Sequence, residues 1–219
     1  THNLKLVDKN QSEIVGTANF RNLFGKGNQE FYMKGNFDRI TSNYEDLKSI
    51  LPRILGSNLP SVLSKLGNVN IAGDVELTQK YINANVTMLS QLGYLEGNLA
   101  MQNINNIDNA SYQGNIKLDA FDLGTLLSQN DIGKASLDLD VDGKGFTQKL
   151  LNTAIKGKIE KFYYNGYNYQ NITVDGSMKM PYYKGYFNSN DPNLKMDFDG
   201  TIDLSLKAKK YDFKAQIDY

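Results

Sequence analysis

The residues best placed to do chemistry are three aspartates that alternate with apolar residues. Asp138, Asp140 and Asp142, followed by Gly143, match the first half of a calcium-binding loop, which supplies oxygens at positions one, three and five and turns at a glycine. The twelfth position, where such a loop needs a bidentate glutamate, holds Lys149. The alternation is also typical of a strand with one wet face. We therefore expect these carboxylates to face solvent and no metal to bind.

Other catalytic chemistries lack the residues they need. The 219 residues include no cysteine and a single histidine, His2 near the chain start, so a serine or threonine nucleophile has no histidine partner inside the fold. The 24 Asp and Glu residues are scattered over polar positions and single out no glycosidase pair. We predict that the protein is not an enzyme, has no catalytic residues and uses no cofactor. Because 24 Lys and Arg residues balance the acids, we also expect no nucleic-acid partner.

An aromatic segment, 162–169, offers rings on which sugars or bases could stack. At its centre Asn165-Gly166 is a strong signal for a type I′ turn, and aromatic residues on both sides make good cross-strand pairs. We therefore expect a β-hairpin here. Some of its rings could lie along the margin of an apolar groove, because the hydroxyl of tyrosine can stay in solvent while the ring is buried.

The elements that must position these residues are strands. Apolar and polar residues alternate strictly along most of the chain, as where Val69, Ile71, Val75 and Leu77 share one face. This predicts about 12 to 15 strands of ordinary length in one mainly β, antiparallel-rich unit covering residues 1–219. No apolar run of about 18 residues occurs, so we expect no membrane span.

A helical insertion at 42–67 interrupts the alternation. Ser42 and Glu45 have the spacing of a capping box, and apolar residues then follow at helical intervals. Pro52 must kink or end this amphipathic helix nearby. A break and a second short helix follow, and a turn with one short helix is expected at 121–127. Such helices could cover one end of a sheet.

A five-residue phrase recurs about ten times: apolar, polar, glycine, polar, apolar. Side chains alternate along a strand, so each glycine falls on the apolar face. Because glycine costs a strand packing and entropy, its recurrence predicts an apolar face that is kept partly bare and strongly curved. The predicted floor glycines are Gly16, Gly35, Gly73, Gly97, Gly114, Gly143, Gly157, Gly176, Gly185 and Gly200.

Further glycine and apolar motifs are concentrated in residues 110–204. They are Gly114-Asn115-Ile116, Phe121-Asp122-Leu123-Gly124, Ile132-Gly133, Leu137 to Phe146, Ile155 to Ile159, Tyr164 to Ile172, Val174-Asp175-Gly176 and Asp191-Pro192-Asn193-Leu194. Together these motifs resemble the TamB/AsmA-like proteins of Gram-negative envelopes. Before residue 110 the resemblance consists of the glycine phrase and the kinked helix.

The resemblance implies a fold, a location and a function. Family members are periplasmic, anchored in the inner membrane and reaching toward the outer membrane. Their sheet folds into an open U-shaped trough, a β-taco with an apolar interior, thought to shield phospholipid acyl chains between the membranes during outer-membrane biogenesis. The family is also linked to outer-membrane protein assembly through a partner of the Omp85 class. The chain begins and ends in strand pattern, so we expect it to be a middle fragment of such a protein.

The residues support this expectation, because an apolar sheet face must be covered by a sheet, a closed core or a ligand. Ten buried methylenes of an acyl chain contribute roughly 8 kcal/mol before ordering costs. The predicted groove lining is Ile71, Val75, Leu95, Leu99, Ile116, Leu118, Leu137, Leu139, Val141, Ile155, Ile159, Ile172, Val174, Phe198, Ile202 and Leu204. Two alternatives remain open: a scaffold that pairs strands with an assembly partner, and a carbohydrate-binding domain with a closed core and sugars near residues 163–169.

Overall fold

The computed structural model describes residues 2–7, 12–22, 30–55, 61–106, 108–145, 150–179, 181–203 and 210–218. They form one sheet of 13 strands whose order in the sheet is their order in the chain. The strands are β1 His2–Val7, β2 Glu13–Arg21, β3 Tyr32–Asn43, β4 Asn68–Thr78, β5 Tyr81–Ser90, β6 Gly93–Gln102, β7 Ser111–Asp122, β8 Ile132–Lys144, β9 Asn152–Tyr164, β10 Tyr167–Lys179, β11 Tyr182–Asp191, β12 Leu194–Asp203 and β13 Lys210–Asp218.

All neighbouring strands run antiparallel. Within the described residues, β1 pairs only with β2 and β13 only with β12, so the sheet is open. The expectation of a mainly β, antiparallel protein is confirmed. The hairpin expected at 162–169 is confirmed as well, since Asn165 and Gly166 both have positive φ, 47° and 89°, between β9 and β10.

In the described residues, three helices interrupt the sheet: α1 Tyr44–Leu55, a 3₁₀ helix Ser61–Leu66 and α2 Leu123–Leu127. The predicted capping box is wrong by one residue: Ser42 lies within β3, and the last residue of that strand, Asn43, caps α1. Instead, the Asn43 side chain accepts from the Asp46 backbone N–H at 3.0 Å and donates to the Asp46 carboxylate at 2.9 Å.

The 3₁₀ helix and α2 are joined by a lysine. Asp122 caps α2 by accepting from the Thr125 backbone N–H at 2.9 Å, and this bond lowers the pKa of Asp122. At the other end of α2, Lys65 Nζ donates to the carbonyl oxygens of Thr125 and Leu126, at 2.9 and 3.1 Å. A cation at the C-terminal carbonyls complements the helix dipole, so Lys65 holds the two helices together.

Two buried clusters lie at opposite ends of the strands. Phe31, Leu77 and Ile104 form the first, where β3 begins and β4 ends. Leu92 and Phe121 belong to the second. Apolar residues of the 3₁₀ helix and α2, namely Leu66, Leu123 and Leu126, pack against this second cluster. The helices therefore cover one end of the sheet.

The glycines of the repeated phrase do not all leave bare space. Gly73 and Gly114 have φ of 128° and 145°, which side-chain-bearing residues rarely adopt. A Cβ at these positions would collide with a backbone carbonyl oxygen of the adjacent strand, that of Asn85 or Asn98. At these two positions the close approach of two backbones, rather than an open floor, requires the glycine.

Gly97 is different. The nearest atom to a Cβ at this position would be Leu95 Cδ2, at 3.6 Å, which is an ordinary contact distance. Gly97 is the one member of the predicted set where an added Cβ meets nothing closer, but it is buried, so it leaves room for one methyl group rather than a bare surface.

Substituting alanine at these glycines tests the distinction. We expect Gly114→Ala to lower the free energy of unfolding by about 2 kcal/mol or more, because it adds strain and a backbone collision. We expect Gly97→Ala to raise it by about 0.5 kcal/mol, because alanine restricts the unfolded chain. Urea unfolding followed by circular dichroism measures both. Equal effects of the two substitutions would show that the close approach of the adjacent strand is not the reason why Gly114 is required.

Candidate functional site

The strand register places the predicted lining residues opposite one another on one face, which we call the apolar face. Three rows cross it from β4 to β10. The rows are Ile71, Met88, Leu95, Leu118, Leu137, Ile159 and Ile172; Gly73, Val86, Gly97, Ile116, Leu139, Gly157 and Val174; and Val75, Ala84, Leu99, Gly114, Val141, Ile155 and Gly176.

The face continues into the strands on both sides. Val174 lies opposite Phe187, which lies opposite Phe198, and Ile202 lies opposite Tyr183. The remaining predicted glycines occupy the same face by register: Gly16, Gly35, Gly143, Gly185 and Gly200. Leu204, the last predicted lining residue, lies outside the described residues.

Glycines alternate with large apolar residues along the middle row. Gly97 lies between Val86 and Ile116, and Gly157 lies between Leu139 and Val174. Because opposing side chains in neighbouring strands contact each other, a large residue beside each glycine can spread over the space that the glycine leaves. The row is thus partly filled by the protein itself.

Most of the lining is only half-buried. The buried members are Leu118, Ile172, Val174 and Phe198. The half-buried members are Ile71, Val75, Leu95, Leu99, Ile116, Leu137, Leu139, Val141, Ile155, Ile159 and Ile202. The chain exposes 14132 Å² in total, whereas a compact monomer of this mass exposes about 10,100 Å². A single-layer sheet whose polar face is exposed and whose apolar face is half-buried is consistent with the larger area.

Several residues of this face were not predicted. Ala84, Val86 and Met88 belong to β5, and Phe187 and Ser189 belong to β11. The glycine phrase is absent from β5, and in β11 the phrase ends at Phe187, where the prediction named only its glycine. Alternation alone was the available signal for them. Ser189 is only 2% exposed, and its hydroxyl has no hydrogen-bond partner.

The opposite, polar face carries the three aspartates. Asp138, Asp140 and Asp142 are exposed residues of β8, a continuous strand, so the calcium-loop alternative does not fit their geometry. Asn115 Nδ2, on β7, donates to carboxylates of Asp138 and Asp140 at 2.8 and 3.0 Å. Within the described ranges no group of three or more metal-ligating side chains occurs.

Two depressions open on the polar face, with volumes of about 550 and 510 Å³. Both include Asn98 and Ala100, where the small alanine side chain leaves a dip between longer polar neighbours. Lys156 and Asp175 border the first and form an ion pair at 2.7 Å, which raises the pKa of Lys156. The lining of these depressions mixes polar side chains with members of the apolar rows, Val141 and Ile155 in the first and Val75 and Leu99 in the second.

β-Bulges place aromatic rings of the hairpin on the apolar face. The register shifts in β7 and between β8 and β9, so Phe121 lies opposite Ala135, Ala135 opposite Phe162, and Phe162 opposite Tyr169. Phe162 stacks on Tyr164 with ring centroids 6.3 Å apart. The rings therefore extend the apolar face beyond Ile159 and Ile172, as a hairpin that edges an apolar surface should.

A buried carboxylate anchors this hairpin. Asp191 is fully buried and accepts from Tyr167 Oη at 2.9 Å and from the backbone N–H groups of Gln170 and Asn193, at 2.9 and 2.8 Å. Burial, followed by the bond to Asp191, raises the pKa of Tyr167. The three donors tie β10 to the turn after β11.

Comparison with known proteins leaves the family open. No family model, no curated protein and no solved structure matches this chain. The TamB/AsmA-like resemblance therefore stays a prediction. In the described part of the chain, no helix is long and apolar enough to cross a membrane.

Removing the Asp191 carboxylate should loosen the hairpin. We expect Asp191→Ala to lower the free energy of unfolding by about 3 kcal/mol, because two backbone N–H groups lose their acceptor. Tyr167→Phe, which deletes one of the three donors, should lower it by only about 1 kcal/mol. Thermal or urea unfolding compares the variants. A loss with Tyr167→Phe as large as that with Asp191→Ala would contradict the anchoring role of the carboxylate.

Proposed function

We propose that the apolar face binds phospholipid acyl chains and that the protein is part of a periplasmic conduit between the inner and outer membranes. The observation that carries this proposal is the set of three uninterrupted rows from β4 to β10. Neighbouring strands lie about 4.8 Å apart, so six spacings give an apolar path of about 29 Å. Such a path offers a long surface to an extended hydrocarbon chain.

The composition of the rows suits acyl chains, whatever headgroup the lipid carries. None of the row positions from β4 to β10 holds a charged residue. Binding would come from covering half-buried residues such as Leu99, Leu139 and Ile155, at about 0.8 kcal/mol for each methylene removed from water. A conduit needs binding that does not depend on the headgroup, because lipids must pass along it without being held at one specific pocket.

We further propose that the sheet curves around the apolar face into the U-shaped trough that the family resemblance implies. Curvature in sheets is introduced by bulges and by glycines at kinks. Register shifts at Val15/Gly16 and at Leu118/Phe121, together with the positive φ of Gly73 and Gly114, supply both devices. The clusters around Phe31 and around Phe121 would then close the two sides of the trough.

Outer-membrane protein assembly is a second candidate function. The observation that favours it is the pair of sheet edges, β1 and β13, that have no neighbour on their outer side among the described strands. A strand of a client or of an Omp85-type partner could pair with such an edge. This function would use backbone hydrogen bonds at the edges, and the apolar face would not need to be occupied.

Photocrosslinking at two consecutive residues tests the lipid proposal. A photoreactive residue at Leu139, on the apolar face, should crosslink to phospholipid in an envelope extract, and one at Asp140, on the polar face, should not. Ile159→Arg should reduce the yield at Leu139, because a charge enters the row beside it. Mass spectrometry identifies the product.

The matched control is Lys158→Ile, which changes the polar face beside Ile159. Circular dichroism checks that each variant folds. Absence of lipid at Leu139, or equal labelling at Leu139 and Asp140, would count against the proposal. Crosslinks from β13 to a protein without any lipid at Leu139 would favour the assembly function.

A further inference from the structure

The apolar face is not open across its full width. The 3₁₀ helix and α2, residues 61–66 and 123–127, form what we call the helical cap. Their side chains Leu66, Leu123 and Leu126 pack against a buried cluster that includes Leu118. Leu118 belongs to the first of the three apolar rows and is only 8% exposed. The helical cap therefore covers the first row where that row crosses β7.

The helical cap is fixed to the sheet through the backbone. The Gln91 backbone N–H, in the turn between β5 and β6, donates to the carbonyl oxygen of Leu66 at 3.0 Å. A Cβ at Gly124 would collide with the carbonyl oxygen of Ile132, so α2 lies directly against the start of β8. Held in this way, the cap acts as a wall along one margin of the apolar face.

The opposite margin is covered as well. Leu77 lies two residues beyond Val75 on β4 and begins a fourth row, next to the third. It is 5% exposed and forms a buried cluster with Phe31 and Ile104. The backbone N–H of Ile104 donates to the carbonyl oxygen of Lys80 at 3.1 Å, which fixes this second wall to the turn after β4.

The band between the two walls is two rows wide. On β8 it presents Leu139 and Val141, both half-buried. Residues two apart on a strand are separated by about 7 Å. Hydrocarbon chains in contact lie no closer than about 4 Å, so two chains fit side by side over the two rows. Four chains that leave one headgroup in the same direction would span at least about 12 Å and would meet the walls.

We propose that the two walls select the lipid by the number of its acyl chains. Leu66, Leu123 and Leu126 on one side, with Phe31 and Ile104 on the other, confine hydrocarbon to the second and third rows. The face then takes up the two chains of one diacyl phospholipid and excludes lipids with four or more chains. This inference rests on the proposed function, since it specifies which lipid the same face binds.

Photocrosslinking at two positions of β8 tests the confinement. Leu137 lies in the first row, opposite Leu118, and Leu139 lies in the second. With vesicles of phosphatidylglycerol, a photoreactive residue at Leu139 should label lipid about tenfold more than one at Leu137, because a chain kept out of the first row loses the contact of about two methylenes there. Leu126→Ala shortens the wall and should raise the yield at Leu137 severalfold.

The matched control is Leu127→Ala, the same substitution at the next residue of α2, whose side chain is 52% exposed. It should leave the yields at Leu137 and Leu139 unchanged. Lys65→Met removes the bonds from Nζ to the end of α2 and is a second way to loosen the cap, should Leu126→Ala impair folding. Circular dichroism checks that each variant keeps its strands.

A comparison of two lipids tests the selection itself. Cardiolipin consists of two phosphatidyl groups joined by one glycerol, so it carries the same charge per acyl chain as phosphatidylglycerol but has four chains. At equal chain concentration, a photoreactive residue at Leu139 should label phosphatidylglycerol about tenfold more than cardiolipin. Leu126→Ala should narrow this difference, because it widens the band.

The outcomes distinguish this inference from the proposed function. If neither lipid labels Leu139, the face binds no acyl chains, and both are wrong. If Leu139 is labelled but Leu137 is labelled equally, or if cardiolipin labels as strongly as phosphatidylglycerol, the proposed function stands and selection by the walls is overturned. Folded Leu126→Ala and Lys65→Met variants that both leave Leu137 unlabelled would also overturn it.

Discussion

Every other feature of this structure depends on the alternation of side chains between the two faces of a strand. Thirteen consecutive antiparallel strands keep this alternation in step between the bulges that shift their registers, so the apolar residues of neighbouring strands merge into one face. A single sheet layer cannot bury that face by itself. The buried clusters around Phe31 and Phe121 cover its ends, and the lining between them stays half-buried. A half-buried apolar surface is stabilised when a ligand or a partner covers it.

The glycines on the apolar face let the backbones of adjacent strands approach closely. At Gly73 and Gly114 the adjacent strand approaches so closely that a Cβ would meet a carbonyl oxygen. At Gly97, which is buried, an added Cβ would make only an ordinary contact with Leu95. One repeated phrase therefore serves two purposes: it permits kinks where backbones approach, and it leaves a gap where large neighbours such as Ile116 stand opposite. In both cases the missing side chain reduces the number of side-chain atoms on the apolar face.

Polar interactions are concentrated away from this face. Ion pairs such as Lys156 with Asp175, and amide contacts such as Asn115 with Asp138, lie on the exposed polar face, where solvent screens them and each adds little stability. Asp191 differs, since it is fully buried and its three donors fix the aromatic hairpin at the margin of the apolar face. The polar groups thus set local geometry, whereas the surface proposed to bind acyl chains is apolar.

Alternation in the sequence was enough to determine the class of fold and the solvent-exposed face of Asp138 to Asp142, and the Asn165-Gly166 pair determined the turn, because each depends on residues close together in the chain. Tertiary structure decided the rest. Parity alone would place Phe162 on the polar face, but bulges bring it opposite Ala135. Likewise, strand β3 continues through Ser42 and moves the helix cap to Asn43. The role of each glycine, too, depends on how near the next strand comes, a distance that strand pairing sets and that no local pattern records.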